Sequence, residues 1–168
     1  MTYDLTNWQE FLHILFKELD IRHIDVSNYV IDHLGYRTIS KDEYETTKMK
    51  FSELGEFLPE VVIRDRRIAI IRLTSPFVYQ NYTIEALEIL EPAEDNQFSS
   101  GFEHAEFVVN KDLSQIMKDY PQLNWNTKAL KRVNNPELIL SLGENMAIKF
   151  HKITILEARK IQAETGVL

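Results

Sequence analysis

The sequence predicts an α+β fold: two paired βαβββ modules forming a curved, mixed and mainly antiparallel sheet, a cup with its helices outside, preceded by an N-terminal helical extension. Three observations predict it. Helix-like and strand-like stretches follow one another as helix, β-α-β-β-β, linker, β-α-β-β-β, helix, an interleaving unlike the steady β-α repeat of a doubly wound sheet. A short motif recurs, since Ile31-Asp32-His33-Leu34-Gly35-Tyr36 and Phe102-Glu103-His104-Ala105-Glu106-Phe107 each run apolar, acid, His, with an aromatic three positions after the His. The third is size. A chain of 168 residues that is 44% hydrophobic buries roughly two-thirds of its unfolded surface and needs neither disulfide nor metal to fold.

Taken in order, Trp8, Phe11, Leu12, Leu15 and Phe16 recur at helical spacing within Leu5 to Asp20, with Thr6 or Asn7 as N-cap. Ile31 to Thr38 alternates as a strand. Ser40 followed by Glu43 marks a helix start, and the helix runs from about Lys41 to Leu54, ending near Gly55. Pro59 to Ile63, Ile68 to Leu73 and Tyr82 to Leu90 are rich in β-branched residues and read as strands, the first two split by the polar turn Arg64 to Arg67. The acidic stretch Glu91 to Asn96 and Phe98-Ser99-Ser100-Gly101 form the linker. Phe102 to Asn110 is the next strand, Asp112 to Asp119 a helix stopped by Pro121. Weaker strand signals cover Lys128 to Val133 and Glu137 to Leu142, with Asn134-Asn135-Pro136 a turn between them. Met146 to His151 is a strand after the Gly143-Glu144-Asn145 turn, and Ile155 to Thr165 a closing helix. Residues 1–168 thus read as one domain, with an extension over 1–29, a first half over 30–95 and a second over 101–168, joined near Asp95 to Gly101.

Composition narrows the function. With no cysteine, disulfides, thiolate metal sites and cysteine nucleophiles are out, and metal chemistry falls to His, Asp and Glu. A net charge of −7 opposes a nucleic-acid partner, because phosphate binding draws on Lys and Arg. No basic leader precedes an apolar run and no window approaches about 18 apolar residues, so a cytoplasmic protein without a membrane partner is expected. No glycine-rich phosphate loop, serine nucleophile elbow or HExxH helix is present.

Alternation along the strands tells which way side chains point. Leu34 and Tyr36 share the face that suits a covering helix, leaving His33, Gly35 and Arg37 opposite; Ala105, Phe107 and Val109 likewise leave His104 and Glu106. Leu87 and Ile89 leave Glu88, and Ile148 with Phe150 leaves Lys149 and His151. If the halves form one curved sheet, this second face is the inside of the cup. His33, Glu88 and His104 then make a facial set of two imidazoles and a carboxylate for a divalent ion, with positions open to water or substrate. Taken singly, each histidine is more simply a hydrogen-bonded structural residue, and Glu88 a partner for Arg37, Arg72 or Lys149. The convergence of three on one face favours metal. His13 and His23 read as surface residues.

The repeated unit, with Asp32 to Arg37 opening one half and Gly101 to Val109 the other, resembles the vicinal oxygen chelate superfamily of glyoxalases, epimerases and extradiol dioxygenases. Within it, ALEILEP at Ala86 to Pro92, RVNNPELILSL at Arg132 to Leu142 and IKFHKITI at Ile148 to Ile155 are similar to the YecM-like proteins, over about Val30 to Ala158. The resemblance implies a paired βαβββ fold cupping a metal, with His33 and His104 as strand-opening ligands and Glu88 as the carboxylate. Glyoxalase-like members add a glutamate from the last strand, where this sequence has Lys149, and a cationic amine does not ligate a metal. Either three ligands remain with His151 nearby, or His151 approaches the ion. The glyoxalase reaction also loses its acid or base.

The expected function is that of a metal-dependent isomerase, lyase or dioxygenase acting on a small anionic, oxygen-containing metabolite. Its divalent ion is zinc, iron, manganese or nickel, serving as a Lewis acid. Arg37 and Lys149 neutralise substrate charge, and His151 or Glu106 moves a proton, with Lys149 beside them in the catalytic group. The alternative is a non-catalytic module holding a metal or metabolite and reporting it to a partner protein, or a degenerate member with no metal.

Overall fold

The computed structural model describes residues 6–63, 65–93, 98–133 and 135–165. Among these, helix α1 spans Trp8–Ile21 and starts on Asn7, whose side chain accepts from the amides of Gln9 and Glu10. Strand β1 spans Val30–Arg37 and leads into α2, Lys41–Phe51. Ser40 caps α2 by accepting from the Glu43 amide at 3.0 Å, and Glu43 reaches back to the Ile39 amide, so the start read from Ser40 and Glu43 is made by those side chains. Four strands follow: β2 (Gly55–Phe57), β3 (Val61–Ile63), β4 (Arg66–Tyr79) and β5 (Tyr82–Leu90). The second half holds β6 (Gly101–Val108), α3 (Leu113–Asp119), β7 (Leu138–Gly143), β8 (Met146–His151) and α4 (Ile155–Thr165).

One sheet of eight strands contains them all, in the order β2-β4-β5-β1-β6-β8-β7, with β3 also on β4. β1 runs parallel to β5, and β6 parallel to β8, while β1 and β6 pair antiparallel at the centre. The two halves therefore meet along the β1–β6 ladder, related by an approximate two-fold, and the sheet is mixed and open. This is the α+β architecture that the order of elements predicts.

Three elements differ from the sequence reading, the first being β2 over Gly55–Phe57, a short strand that it did not expect. β4 extends well beyond Ile68 to Leu73: Arg66 and Arg67 pair with β3, and after a shift in register Phe77 to Tyr79 pair with the start of β5. Lys128 to Val133 is not a strand: Asn126 accepts from the Lys128 amide, Ala129 is buried, and the chain winds into a short 3-10 turn over Lys128–Lys131. Just before it, an isolated bridge joins Asn126 to Ile139 of the sheet. Residues 94–97 of the expected linker, Arg64 of the polar turn and Asn134 of the Asn-Asn-Pro turn lie outside the described residues.

The outer face of the sheet carries the main core. Leu34, Leu87, Ala105, Phe107, Ile148 and Phe150 pack under Phe11, Leu12, Leu15 and Leu19 of α1, Tyr44 of α2 and Leu113 and Ile116 of α3. Burial of apolar area of this kind contributes about 25 cal/mol per Å². On the inner face a smaller cluster joins Ile68, Ile70, Ala86 and Leu90 to Ile155 at the start of α4. Three helices thus cover the outside, and α4 lies against the inside.

Candidate metal centre and its cavity

Register brings the charged side chains together. Gly35 on β1 stands between Glu88 on β5 and His104 on β6; His33 stands between Ala86 and Glu106; Glu106 stands beside Lys149 on β8. Residues paired across a ladder share a face, so His33, Glu88, His104, Glu106, Lys149 and His151 occupy the inner face together. Gly35 is the floor between them. A Cβ there would collide with the imidazole of His104, so only glycine lets that ring lie across β1.

Both histidines are oriented by a carboxylate one residue earlier. Neighbours in a regular strand point to opposite faces, yet the His33 Nδ1 is 2.8 Å from Asp32 Oδ2 and the His104 Nδ1 is 3.0 Å from Glu103 Oε1. The ladder supplies the reason. Ile31 pairs with Phe107 and His33 with Glu106, leaving Asp32 as an extra residue in β1; Gly35 pairs with His104 and Tyr36 with Phe102, leaving Glu103 as the extra residue in β6. Each is a β-bulge, which re-aims one side chain. With Nδ1 donated to a carboxylate, each ring turns Nε2 to the centre, the arrangement found behind metal-ligating histidines.

At the centre, ligand atoms of His33, Glu88, His104 and Glu106 all lie within 4.8 Å of one another, and all four residues are buried. His104 Nε2 is 3.3 Å from both Glu88 Oε2 and Glu106 Oε1, and His33 Nε2 is 3.4 Å from Glu106 Oε1. His33 Nε2 and Glu88 Oε2 are buried without a hydrogen-bond partner. Leaving such atoms unsatisfied costs about 1–3 kcal/mol each. Two imidazoles and two carboxylates aimed at one point are a donor set that fits a divalent ion such as zinc, iron, manganese or nickel. The Lys149 ammonium pairs with Glu106 and lies 3.1 Å from His104 Nε2, so a cation also stands at the rim of this set.

Charge explains the protonation of the cluster. Burial opposes a charged His33, but Glu106 and Asp32 outweigh it and hold the imidazole well above its ordinary value. His104 is opposed by burial and by Lys149, yet Glu103, Glu106 and Glu88 raise it to about 9. Glu106 and Glu88 resist burial and fall below the usual carboxylate range through Lys149 and the two histidines. Glu103, buried beside His104 and Arg37, is held at about 2. The carboxylates around both rings thus favour positive charge at the centre, and a divalent ion would supply it with both rings neutral, the form that ligates. His151 differs: burial pushes it down despite Glu106 and Asp32, which leaves a neutral ring.

A cavity of about 760 Å³ opens above the cluster. His33, Glu88, Glu106, Lys149 and His151 form its floor, Ile68, Ile70 and Leu90 one wall, and Ile155, Ala158 and Ile161 of α4 another. Of the expected site residues, the structure gathers six, including the trio His33, Glu88 and His104. Arg37 is different. Its guanidinium is taken by Glu103 and lies over the Phe98 ring, 4.4 Å from the centroid, and it is not among the residues lining the cavity. Being at the far end of β1, it meets the bulged acid of β6 before it can reach the cavity. Arg66, Arg132 and Arg159 line the cavity instead. Glu106, expected as a proton carrier, sits among the candidate ligands. The sequence reading passed over Asp32 and Glu103 as orienting groups, although the acid–His repeat displayed both, and over Asn135, whose Nδ2 is 3.1 Å from His151 Nδ1.

A family model for the YecM protein matches residues 2–161 of this chain. The chain belongs to the YecM family. Protein YecM of Escherichia coli is 28% identical over 163 residues, covering 88% of this chain and 86% of that protein. A Haemophilus influenzae protein designated uncharacterized is 28% identical over 109 residues, covering 65% of this chain; the chain spans 56% of that relative's length. Among solved structures, a structural-genomics protein, EC4020, superposes with a TM-score of 0.76 at 23% identity, over 96% of this chain and 98% of that one. A methylmalonyl-CoA epimerase in complex with methylmalonyl-CoA and NH4+ superposes with a TM-score of 0.51 at 16% identity, over 76% of this chain and 96% of that one. At such identities these likenesses bear on the fold. This family member has the fold of the vicinal oxygen chelate superfamily.

Proposed function

We propose that this YecM-family protein holds a divalent metal ion on His33, Glu88, His104 and Glu106 and acts on a small anionic, oxygen-bearing metabolite in the adjoining cavity, as an isomerase, lyase or dioxygenase. The observation that carries the reading is the pair of buried, unpartnered atoms His33 Nε2 and Glu88 Oε2, aimed at the same point as His104 Nε2 and Glu106 Oε1. The ion supplies Lewis acidity toward a substrate oxygen. Asp32 and Glu103 fix the histidine rings. Lys149, with its ammonium on the cavity floor, neutralises substrate charge. His151 accepts from Asn135 Nδ2 at Nδ1, so its neutral ring carries the proton on Nε2, 3.4 Å from Asp32 Oδ2, and acts there as a hydrogen-bond or proton donor. The isoleucine walls exclude water around it.

One observation favours a second reading. The Lys149 ammonium already compensates Glu106 where related folds carry a ligating glutamate, which suits a module that binds without turning over. Metal analysis of protein purified without chelator or nickel resin tests the ligand assignment: stoichiometric metal in wild type is expected to be lost in His104→Ala and in Glu88→Ala. Metal retained in both variants sinks the assignment. Thermal-shift screening of oxoacids, hydroxyacids and catechols then identifies binders, since a ligand of the folded state raises the apparent Tm. Turnover of a hit supports the enzyme, and binding without turnover supports the module.

A further inference from the structure

A second recess, of about 350 Å³, opens where α4 meets the β2–β3 connection and β4. It shares Val61, Arg159 and Gln162 with the main cavity, so these side chains form a lip between the two. Its charged side chains are Arg72, Arg159 and Lys160, all cationic, on a chain whose net charge is −7. Arg22, Arg37, Arg67 and Arg132 each pair with a carboxylate. The three of the recess do not, among the described residues, although Glu56 stands across the ladder from Arg72. Arg159 is half-buried, one nitrogen donating to Gln162 Oε1 and the other 3.4 Å from the Pro59 carbonyl. Burial of this guanidinium is offset only from a distance, by Glu88, with which it makes no ion pair, and an incoming anion offsets the rest of that cost.

We propose that the recess binds the phosphate-ester end of the ligand whose oxygen-bearing end reaches the metal centre. Arg159 takes two phosphate oxygens with its planar fork, while Arg72 and Lys160 add charge from either side. Three cations that form no ion pair suit a dianion better than a single carboxylate. Between the ends, an apolar segment crosses the lip and lies along Ile68, Ile70 and Ile155, whose side chains offer no hydrogen bond. The substrate class is thus a phosphorylated metabolite with an aliphatic or aromatic middle. The inference rests on the cavity being the ligand site, and it deepens the function proposed above.

Hexyl phosphate, hexanol and inorganic phosphate serve as probes in calorimetric titrations of the full chain. Hexyl phosphate is expected to bind saturably and more tightly than either hexanol or inorganic phosphate, and to weaken with added salt. Arg159→Gln is expected to weaken hexyl phosphate about tenfold or more, with hexanol unchanged. Arg159→Lys, which keeps charge but loses the fork, is expected to fall between. Equal binding of hexyl phosphate to wild type and Arg159→Gln, or no preference for it over hexanol, overturns the proposal. Metal content separates this test from the other: Arg159→Gln is expected to retain whatever metal wild type holds, and a wild type without metal defeats the metal assignment while the phosphate titration still decides the recess.

Discussion

Gly35 lies where the two halves of the candidate site meet, and its missing side chain is what admits the ring of His104. Gly35→Ala is expected to push that ring aside, lowering metal content and costing about 1–3 kcal/mol of stability, the usual penalty of overpacking. Metal analysis and a urea midpoint check both. A full complement of metal would show that His104 is free to move. Asp32 plays a quieter part, since its Oδ2 faces His33 Nδ1 and also accepts from the Ile155 amide at 2.8 Å. Asp32→Asn keeps an acceptor for that amide but removes the charge behind the imidazole. Metal affinity, read by competition with a chelator, is expected to drop about 10- to 100-fold. An unchanged affinity removes Asp32 from the site. At this scale the sequence displays the residue types, as the acid–His repeat does, but not which atoms meet. Asp32 and His33 touch only because a bulge overrides alternation.

Among the elements, α4 has the placement least visible in the sequence. Its periodicity marks a helix, but Ile155, Leu156, Ala158 and Ile161 would suit either face of the sheet. What decides it is the inner cluster of Ile68, Ile70, Ala86 and Leu90, an apolar patch that Ile155 and Leu156 of α4 cover. Ile155→Ala is expected to cost about 2–4 kcal/mol. It should also speed amide exchange in α4 while leaving α1 protected. Unchanged exchange in α4 would mean that contacts other than Ile155 anchor the helix. The strand expected over Lys128 to Val133 failed for a related reason: β-branched or apolar content suggests a strand, yet a strand also needs a free edge beside it. There the Asn126 side chain caps the chain into a turn, and β7 takes the edge.

For the molecule as a whole, the inner face concentrates opposed charges and the outer face carries the apolar core. Away from the site, Glu91 accepts from the Arg67 guanidinium and backbone amide, which hold its carboxyl below the usual range. A carboxylate depressed in the folded state adds stability above its unfolded pKa of about 4.3, and that stability is lost as pH falls through the folded value. The contribution is about 1.5 kcal/mol, typical of a hydrogen bond to a charged group. Glu91→Gln is therefore expected to lower the midpoint at pH 7 and to flatten the decline between about pH 5 and pH 3. An acid limb as steep as that of wild type contradicts this.

At the same scale the division of information is plain. By itself the sequence determined the α+β class, the repeat, most of the strands, and the single face shared by His33, Glu88, His104, Glu106, Lys149 and His151, because all of these follow from local periodicity. Only the tertiary structure decided the two bulges, the inward position of α4, the capture of Arg37 by Glu103 and the cationic recess at Arg159. Each depends on which partner lies across a ladder or above a face, and no residue carries that information alone.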